Sequence, residues 1–455
     1  MKLIYNVETK PKEMGYLKTV LFALQQLLAI MAATIAVPAI IGHGMSPTAA
    51  LFGAGAGTLI YQLFTKFKSP VFLGSSFAFL GSMPMAFAGA VSMSAGYLGL
   101  ILGAIFAGLV YVLLAIAVKF TGVNWINNLM PAIVIGPTVA IIGLSLAGNA
   151  IGDLSKGSVL TEMAGEMVPT ASPYVALICG LVTLFTTILC STYGKKTVKM
   201  IPFILGIMAG YAIASVFTLI GTLTSNEALL IIDFAKFNNI QWIPDFSFLK
   251  AFSGEITFGE GGSFGAYVGT IAAAYVPVAF VVFAEHIADH KNLSTIIERD
   301  LLTEPGLHRT LLGDGVGSMV GAIFGGCPNT TYGESVGCVA ISGNASVATI
   351  TTTAILAIAI SFFGPFATFL STIPSCVMGG ICVALYGFIA VSGLKMIQKV
   401  DLNDNGNLFV VSVILIAGIG GLKLTFGQIT ITSVACALIL GIITNIIVNL
   451  KKENK

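Results

Sequence analysis

The stretch CPNTTYGES at 327–335, with its counterpart SPVFLGSSFAF at 69–79, decides how this chain folds. Each opens with a proline, Pro328 or Pro70, which blocks a helix running in from upstream. Each continues with β-tolerant and small residues, so each is predicted to begin as a short extended strand and to turn helical afterwards. Such a strand leaves backbone N–H and C=O groups unpaired. At membrane depth those groups are tolerated only where protein or a polar cavity satisfies them, and a ligand can be part of that cavity. The plainer alternative is a pair of helices with loose first turns, packed by small residues as membrane helices often are.

The surroundings of both stretches are apolar. The 455 residues are 56% hydrophobic and only 9% charged, with a mean hydropathy of +0.95, whereas a globular domain carries about 25% charged residues. Twenty-two basic and 20 acidic side chains cannot coat a surface of this size, so the rest must face lipid. A net charge of +2 gives no support for binding nucleic acid, which rests on clustered Lys and Arg. The seven cysteines, 179, 190, 327, 338, 376, 382 and 436, lie in apolar runs without the paired spacing of a disulfide framework or zinc site, and read as small core residues. No His or Cys pair converges by spacing with a carboxylate, so neither a metal nor a cofactor is expected. Lys2, Lys10, Lys12 and Lys18, around Glu8 and Glu13, precede a first apolar run that is too long, and lacks the cleavage site, for a secretory signal. That run is expected to stay in the protein.

A lipid-crossing helix needs about 20 apolar residues. Charges and Pro/Gly clusters cut the chain into segments of that order at 18–42, 47–66, 70–90, 95–119, 129–148, 174–193, 200–224, 264–290, 311–326, 328–343, 346–370, 374–394, 406–425 and 430–449. The fold expected is therefore an all-α polytopic membrane protein of fourteen transmembrane segments, with short β-strands in the third and the tenth. Basic residues in short loops favour the cytoplasm. With both termini cytoplasmic, Lys2, Lys10, Lys12, Lys18, Lys66, Lys68, Lys119, Lys195, Lys196, Lys199, Lys291, Arg299, Arg309, Lys395, Lys399, Lys451, Lys452 and Lys455 fall inside. Only Lys156, Lys236, Lys250 and Lys423 fall outside. The acidic loops 149–173 and 225–263 then face outward, with Trp242 and its neighbouring aromatics along that interface.

The chain also echoes itself. MPAIVIGP at 130–137 matches IPSCVMGG at 373–380, pairing Pro131 with Pro374 and Gly136 with Gly379, and ILGI recurs at 204–207 and 439–442. Seven segments per half is an odd number, so the second half enters the membrane from the opposite side and the repeats are inverted. Transporters built this way hold their substrate near the midplane, where interrupted segments of the two halves meet.

Four acidic residues fall within the expected spans, and three of them are the candidates, Asp314 being a minor one. Glu285 and Asp289 end the eighth, in AAAYVPVAFVVFAEHIADH, and Glu334 lies in the broken tenth. A charge at the centre of a bilayer helix costs at least ~2.5–3.5 kcal/mol, so one found there usually serves a pathway or relay. Glu285 and Asp289 are four residues apart, hence on one helix face, the arrangement a proton-coupled carrier requires. Asp289 also stands beside His290 and Lys291, where plain solvation at the cytoplasmic boundary would accommodate it. His286 and His290 flank this face and could shuttle protons, although interfacial placement is the plainer expectation. His43 reads as part of an outer turn and His308 as part of a cytoplasmic loop. Asp314, in LLGDGVGS, is expected to cap the ninth helix.

Six motifs carry a family resemblance: QQLLAIMAATIAVP at 25–38, FLGSSFAF at 72–79, FAEH at 283–286, RDLLTEPGLHRTLLGDG at 299–315, PNTTYGE at 328–334 and IPSCVMGG at 373–380. Together they run from the first span to the twelfth, and the chain resembles the nucleobase-ascorbate, or nucleobase-cation symporter-2, transporters, most closely their bacterial uracil-permease branch. The resemblance implies two inverted repeats of seven. A core domain at 1–119 and 226–372 would move against a gate domain at 120–225 and 373–455, often as a homodimer in the bacterial inner membrane. It implies proton-coupled uracil import by alternating access, with xanthine or another purine base as the alternative substrate. By the same resemblance Glu285 and Glu334 hold the base, the backbone amides of Phe77 and Gly333 meet ring carbonyls, and Tyr332 and Ala33 line the site, while Glu285 and Asp289, from their shared helix face, are the residues expected to couple protons. Three departures stand out. Asp289 occupies the place where uracil permeases usually have histidine, an acidic residue there being more like the xanthine branch. The first span has Gln25-Gln26 instead of a glutamine-histidine pair, and SVGCVAISGNAS follows PNTTYGE without the usual arginine. An anion carrier on the same fold would be expected to place a basic residue near the broken segments, and a membrane enzyme would need a nucleophile with its base. Neither is visible, so no enzymatic activity is expected.

Overall fold

The computed structural model describes residues 3–122, 131–163, 166–195, 198–199, 201–259, 263–398, 400–426 and 429–450. Lys2, Lys196, Lys399, Lys451, Lys452 and Lys455 of the charge pattern, Met130 of the repeat motif, and positions 129, 130 and 200 of the expected spans lie outside them.

The first half runs α1 (Tyr16–Ile41), α2 (Pro47–Phe64), β1 (Leu73–Ser75), a tight 3-10 turn Phe77–Gly81 with a short helix Met83–Ala88, α3 (Met93–Thr121) and α4 (Ala132–Ser145). A short helix Ala147–Asp153, the hairpin β2 (Leu160–Met163) and β3 (Glu166–Pro169), α5 (Pro173–Tyr193) and α6 (Pro202–Thr224) complete it. The second half runs α7 (Phe264–Ile297), α8 (Leu307–Gly325), β4 (Asn329–Thr331), α9 (Gly333–Ser342), α10 (Val347–Ser361), α11 (Gly364–Thr372) and α12 (Ser375–Ile397). It closes with α13 (Asn405–Ile419), the hairpin β5 (Leu424–Phe426) and β6 (Ile429–Ile431), and α14 (Ser433–Asn449). The third and tenth expected segments do start as strands and continue as helices. Seven helices among the described residues are long and apolar enough to cross a membrane, or eight if α10 and α11 count as one span.

The two strands need each other. β1 pairs antiparallel with β4, Leu73 opposite Thr331, Gly74 opposite Thr330 and Ser75 opposite Asn329. The pairing is extended at both ends, where Ser76 N–H donates to Pro328 O (2.8 Å) and Tyr332 N–H to Phe72 O (3.3 Å). A side chain satisfies the outer edge of β1, where Leu73 N–H donates to Thr58 Oγ1 on α2 (2.9 Å), and the Asn329 side chain anchors β4 to the same helix, its Nδ2 donating to Gly53 O (3.0 Å). The Tyr332 hydroxyl donates to Ser75 O (2.7 Å) with its ring lying flat against Gly74, where a Cβ would collide with it.

The repeat is visible in the helix starts. Pro131 and Pro374, matched in sequence, precede α4 and α12 with nearly the same backbone angles, φ −68° and ψ 166° against φ −73° and ψ 153°, and the two helices pack against each other. Beside them α2 packs on α8 through glycine. A Cβ on Gly53 would stand 2.5 Å from Gly321 O, so the backbones touch, as small residues allow between membrane helices.

Several boundaries differ from expectation. The eleventh segment is not one helix: α10 and α11 meet at 82°, because Pro365 sits in the first turn of a new helix, the one place its missing N–H costs nothing. α7 continues to Ile297, past 290, and α8 begins at Leu307. His308 is thus in the first turn of a helix instead of a loop, and Asp314 lies two turns inside α8 and caps nothing. Outside the helices, Lys68 and Arg299 both pair with Glu304, and Arg299 also with Glu8; Lys68, then Arg299, holds the Glu304 carboxyl below its usual range. The segment from Ile4 to Val7 lies along the loop after α9, with Ala345 N–H donating to Tyr5 O and Val347 N–H to Val7 O.

Replacing Gly53 by valine should separate α2 from α8. Overpacking costs about 1–3 kcal/mol even against side chains that can yield, and here the neighbour is backbone. The purified protein in detergent should melt at a clearly lower temperature; an unchanged melting curve would mean that the helices do not approach as closely as described.

Candidate functional site

A cavity of about 410 Å³ lies where the broken segments meet, lined among others by Phe77, Glu285, Asp289, Thr330, Thr331, Tyr332, Gly333 and Glu334. That volume suits a small organic molecule. The chain puts these residues together by three local devices. Phe77 begins the 3-10 turn after β1, with Ser76 still extended (φ −77°, ψ 121°). Gly333 and Glu334 begin α9 after β4, with Tyr332 extended before them (φ −107°, ψ 120°). In both places the first turn leaves backbone N–H groups without intrahelical acceptors and with the positive end of the helix dipole. Glu285 and Asp289, one turn apart on α7, supply a carboxylate face opposite.

The two walls of the cavity differ in kind. The wall from β4, α7, α9 and the Phe77 turn holds three carboxyl groups and the threonines. The wall from α4, α6 and α12 offers Val139, Phe203, Leu385, Phe388, Ile389 and Met396, with Ser392 as its one polar side chain. Among the described residues no Lys or Arg lines the cavity, and none of Glu285, Asp289 and Glu334 has a basic partner within ion-pair distance.

Six of the seven residues singled out from the sequence, Phe77, Glu285, Asp289, Tyr332, Gly333 and Glu334, border this one cavity. Ala33 does not; it is 1% exposed and packs behind it with Leu27, Phe72 and Tyr332. Asp289 is not simply solvated at a boundary, since it lines the cavity and accepts a hydrogen bond from Thr331 Oγ1 (2.8 Å). The histidines are not interfacial. His286 and His290 are completely buried and turned from the cavity towards α8 and α2. His286 Nδ1 donates to Asp314 Oδ2 (2.7 Å), and its Nε2 lies 2.9 Å from Thr310 Oγ1. His290 Nδ1 donates to the backbone carbonyl of His286 (2.7 Å), while its Nε2 meets the Tyr61 hydroxyl (2.7 Å). A backbone carbonyl passes no proton onward, so this route ends there as a relay. Sequence reasoning also passed over Gln26, whose Nε2 donates to Ser335 Oγ (2.5 Å) and fastens α1 to the first turn of α9 beside Glu334. The Gln25-Gln26 departure drew attention to that position without revealing the bond.

Known proteins resemble this chain in sequence and in fold. A family model described as a permease family matches residues 17–426. The uracil permease of Bacillus subtilis is 37% identical over 445 residues, 95% of this chain and 93% of that protein. The uracil permease of Escherichia coli is 33% identical over 94% of this chain and 90% of its own. Among solved structures, the transmembrane domain of a cyanobacterial bicarbonate transporter, BicA, superposes with a TM-score of 0.62 over 98% of this chain and 99% of that one, at 16% identity. That likeness is one of fold.

The Thr331–Asp289 bond joins β4 to α7 across the rim of the cavity. Thr331→Val removes the donor and should cost about 1–3 kcal/mol of stability, the range for a hydrogen bond to a carboxylate, while Thr331→Ser should keep most of it. Equal losses in thermal denaturation of the two variants would show that the hydroxyl is not what matters.

Proposed function

The chain belongs to this permease family, the nucleobase-ascorbate transporters, and from that premise we propose that it is a proton-coupled uracil importer. It is a multi-pass membrane protein, read here as fourteen crossings with both termini in the cytoplasm of a bacterial inner membrane. The observation that carries the substrate reading is the chemistry of the polar wall. Uracil is a flat ring alternating N–H donors with C=O acceptors. Glu285 and Glu334 accept from the former, and the first-turn amides at Phe77 and Gly333 donate to the latter. Tyr332 borders the ring, with Ala33 supporting it from behind.

Proton coupling follows from charge. Three carboxyl groups share one cavity without a basic partner, and ionising all of them there, away from bulk water, is costly. A proton on Glu285 or Asp289, or the N–H groups of a bound base, relieves that cost, so base and proton travel together. Their transport by alternating access is supported by the contrast between the walls. A substrate held by the core domain (1–119 and 226–372) meets a surface on the gate domain (120–225 and 373–455) with Ser392 as its one polar side chain, so one can slide past the other with few polar contacts to break. A homodimer would brace the gate domains against that motion. The related fold in a bicarbonate transporter suggests anion transport, but a cavity with three carboxyls and no Lys or Arg is unsuited to an anion.

Xanthine is the second reading, favoured by one observation: Asp289 lines the cavity as a further acceptor, already oriented by Thr331. Uptake of labelled uracil and labelled xanthine into cells lacking their own carriers, with and without a proton uncoupler, separates the two. Uncoupler-sensitive uracil uptake that excess xanthine does not compete is expected; uncoupler-sensitive xanthine uptake in its place would overturn the substrate assignment.

In the same assay Glu285→Gln should lose at least 10-fold in uptake while still reaching the membrane, given that a hydrogen bond to a charged group contributes about 1.5–3 kcal/mol. Normal transport by that variant would remove Glu285 from the site. Asp289→His should retain uptake if the position relays protons, whereas complete loss would indicate that it holds the base directly.

A further inference from the structure

Beside Asn329 of β4 lies a much smaller cavity of about 10 Å³, bounded by Phe79 and Val282 and by the polar residues Tyr111, Asp314, Ser318 and Asn329. Two buried polar atoms of this lining have no partner of good hydrogen-bond geometry, Asp314 Oδ1 and the Tyr111 hydroxyl, which stands beside the equally unsatisfied Thr330 Oγ1. Both residues are enclosed, Asp314 at 1% exposure and Tyr111 at 4%. The other Asp314 oxygen is occupied by His286 Nδ1. An unpartnered carboxylate oxygen is among the most expensive groups to bury, and native interiors commonly settle such groups with an ordered water. The volume matches, since roughly 10–15 Å³ on this measure holds one water molecule.

We propose that this cavity binds a single structural water, which accepts from the Tyr111 hydroxyl and donates to Asp314 Oδ1. The water then joins α3, which carries Tyr111, to α8, which carries Asp314, and through His286 to α7. The helices α3, α7 and α8 become one hydrogen-bonded unit, with Tyr111 a positioning residue for the His286–Asp314 pair. A monovalent cation is the poorer occupant, because Phe79 and Val282 take up part of the wall that a full shell of oxygens would need. The inference does not depend on which base is carried.

Two measurements test it. A structure determined at a resolution that shows ordered water should have a peak within hydrogen-bond distance of both Asp314 Oδ1 and Tyr111 Oη. Tyr111→Phe, which keeps the ring, should abolish the peak and lower the melting temperature of the purified protein. The same substitution in an Asp314→Asn background should lower it by less, since the two residues share one partner; if the double variant does not fold, the peak and the single variant decide. Tyr111→Phe with an unchanged melting temperature, or a map without the peak, would overturn the proposal. So would saturable stabilisation by sodium over choline chloride that Tyr111→Phe removes, which would make the occupant a cation.

Discussion

Backbone that is neither helix nor barrel has no place in hydrocarbon unless its N–H and C=O groups are satisfied, and this protein meets that constraint with one pair of three-residue strands. β1 and β4 answer each other's hydrogen bonds, Thr58 of α2 closes the edge of β1 and the Asn329 side chain ties β4 to α2, and the Tyr332 hydroxyl takes a carbonyl of the opposite strand. Everything at the site hangs from that arrangement. Because the strands are satisfied, the helices that follow them can start in the interior, and their first-turn amides face a cavity instead of lipid. The close approach of α2 to α8 through Gly53 and Gly321 serves the same end, bringing α2 near enough for its threonine and carbonyl to reach the strands.

Much of this was legible in the sequence because its signals are local. Pro70 and Pro328, each followed by small and β-tolerant residues, mark the broken segments by their chemistry alone, and Pro131 and Pro374 mark the repeat by the helix starts they enforce. The carboxylates stood out because few acids occur in apolar runs. The histidines did not, since their surroundings depend on where α7 ends. With the helix running seven residues beyond the expected 290, His286 and His290 lie well inside it and bond to α8 and α2, contacts between segments that no local pattern encodes. Asp314 was misplaced for the same reason, the start of α8 being at Leu307. The bend between α10 and α11 had a signal in Gly364-Pro365, but hydropathy runs across it unbroken. The β2–β3 and β5–β6 hairpins lie in connections too short and mixed for a period-2 pattern to emerge.

The contrast between the cavity's walls gives the site its logic. All ionisable lining groups belong to one side, and the apolar side supplies shape without commitment. The polar side is also the stiffer one in its bonding, with Thr331 tied to Asp289, Gln26 to Ser335 and His286 to Asp314. On the proposed transport function, a polar solute that keeps one set of partners throughout is served by polar groups gathered on one wall, facing another with Ser392 as its one polar side chain.

The pairing of β1 with β4 also bears on how the chain is made. Residue 73 enters the membrane long before residue 331 has been synthesised, so the backbone groups of β1 cannot reach their partners during insertion of the first half. Until then the third segment must remain hydrated or be shielded by the insertion machinery, with α1 and α2 as its neighbours. Long-range pairing of this kind is slow and leaves exposed edges while it is pending. The first half by itself is thus an assembly intermediate with an open polar seam, and the second half is what seals it.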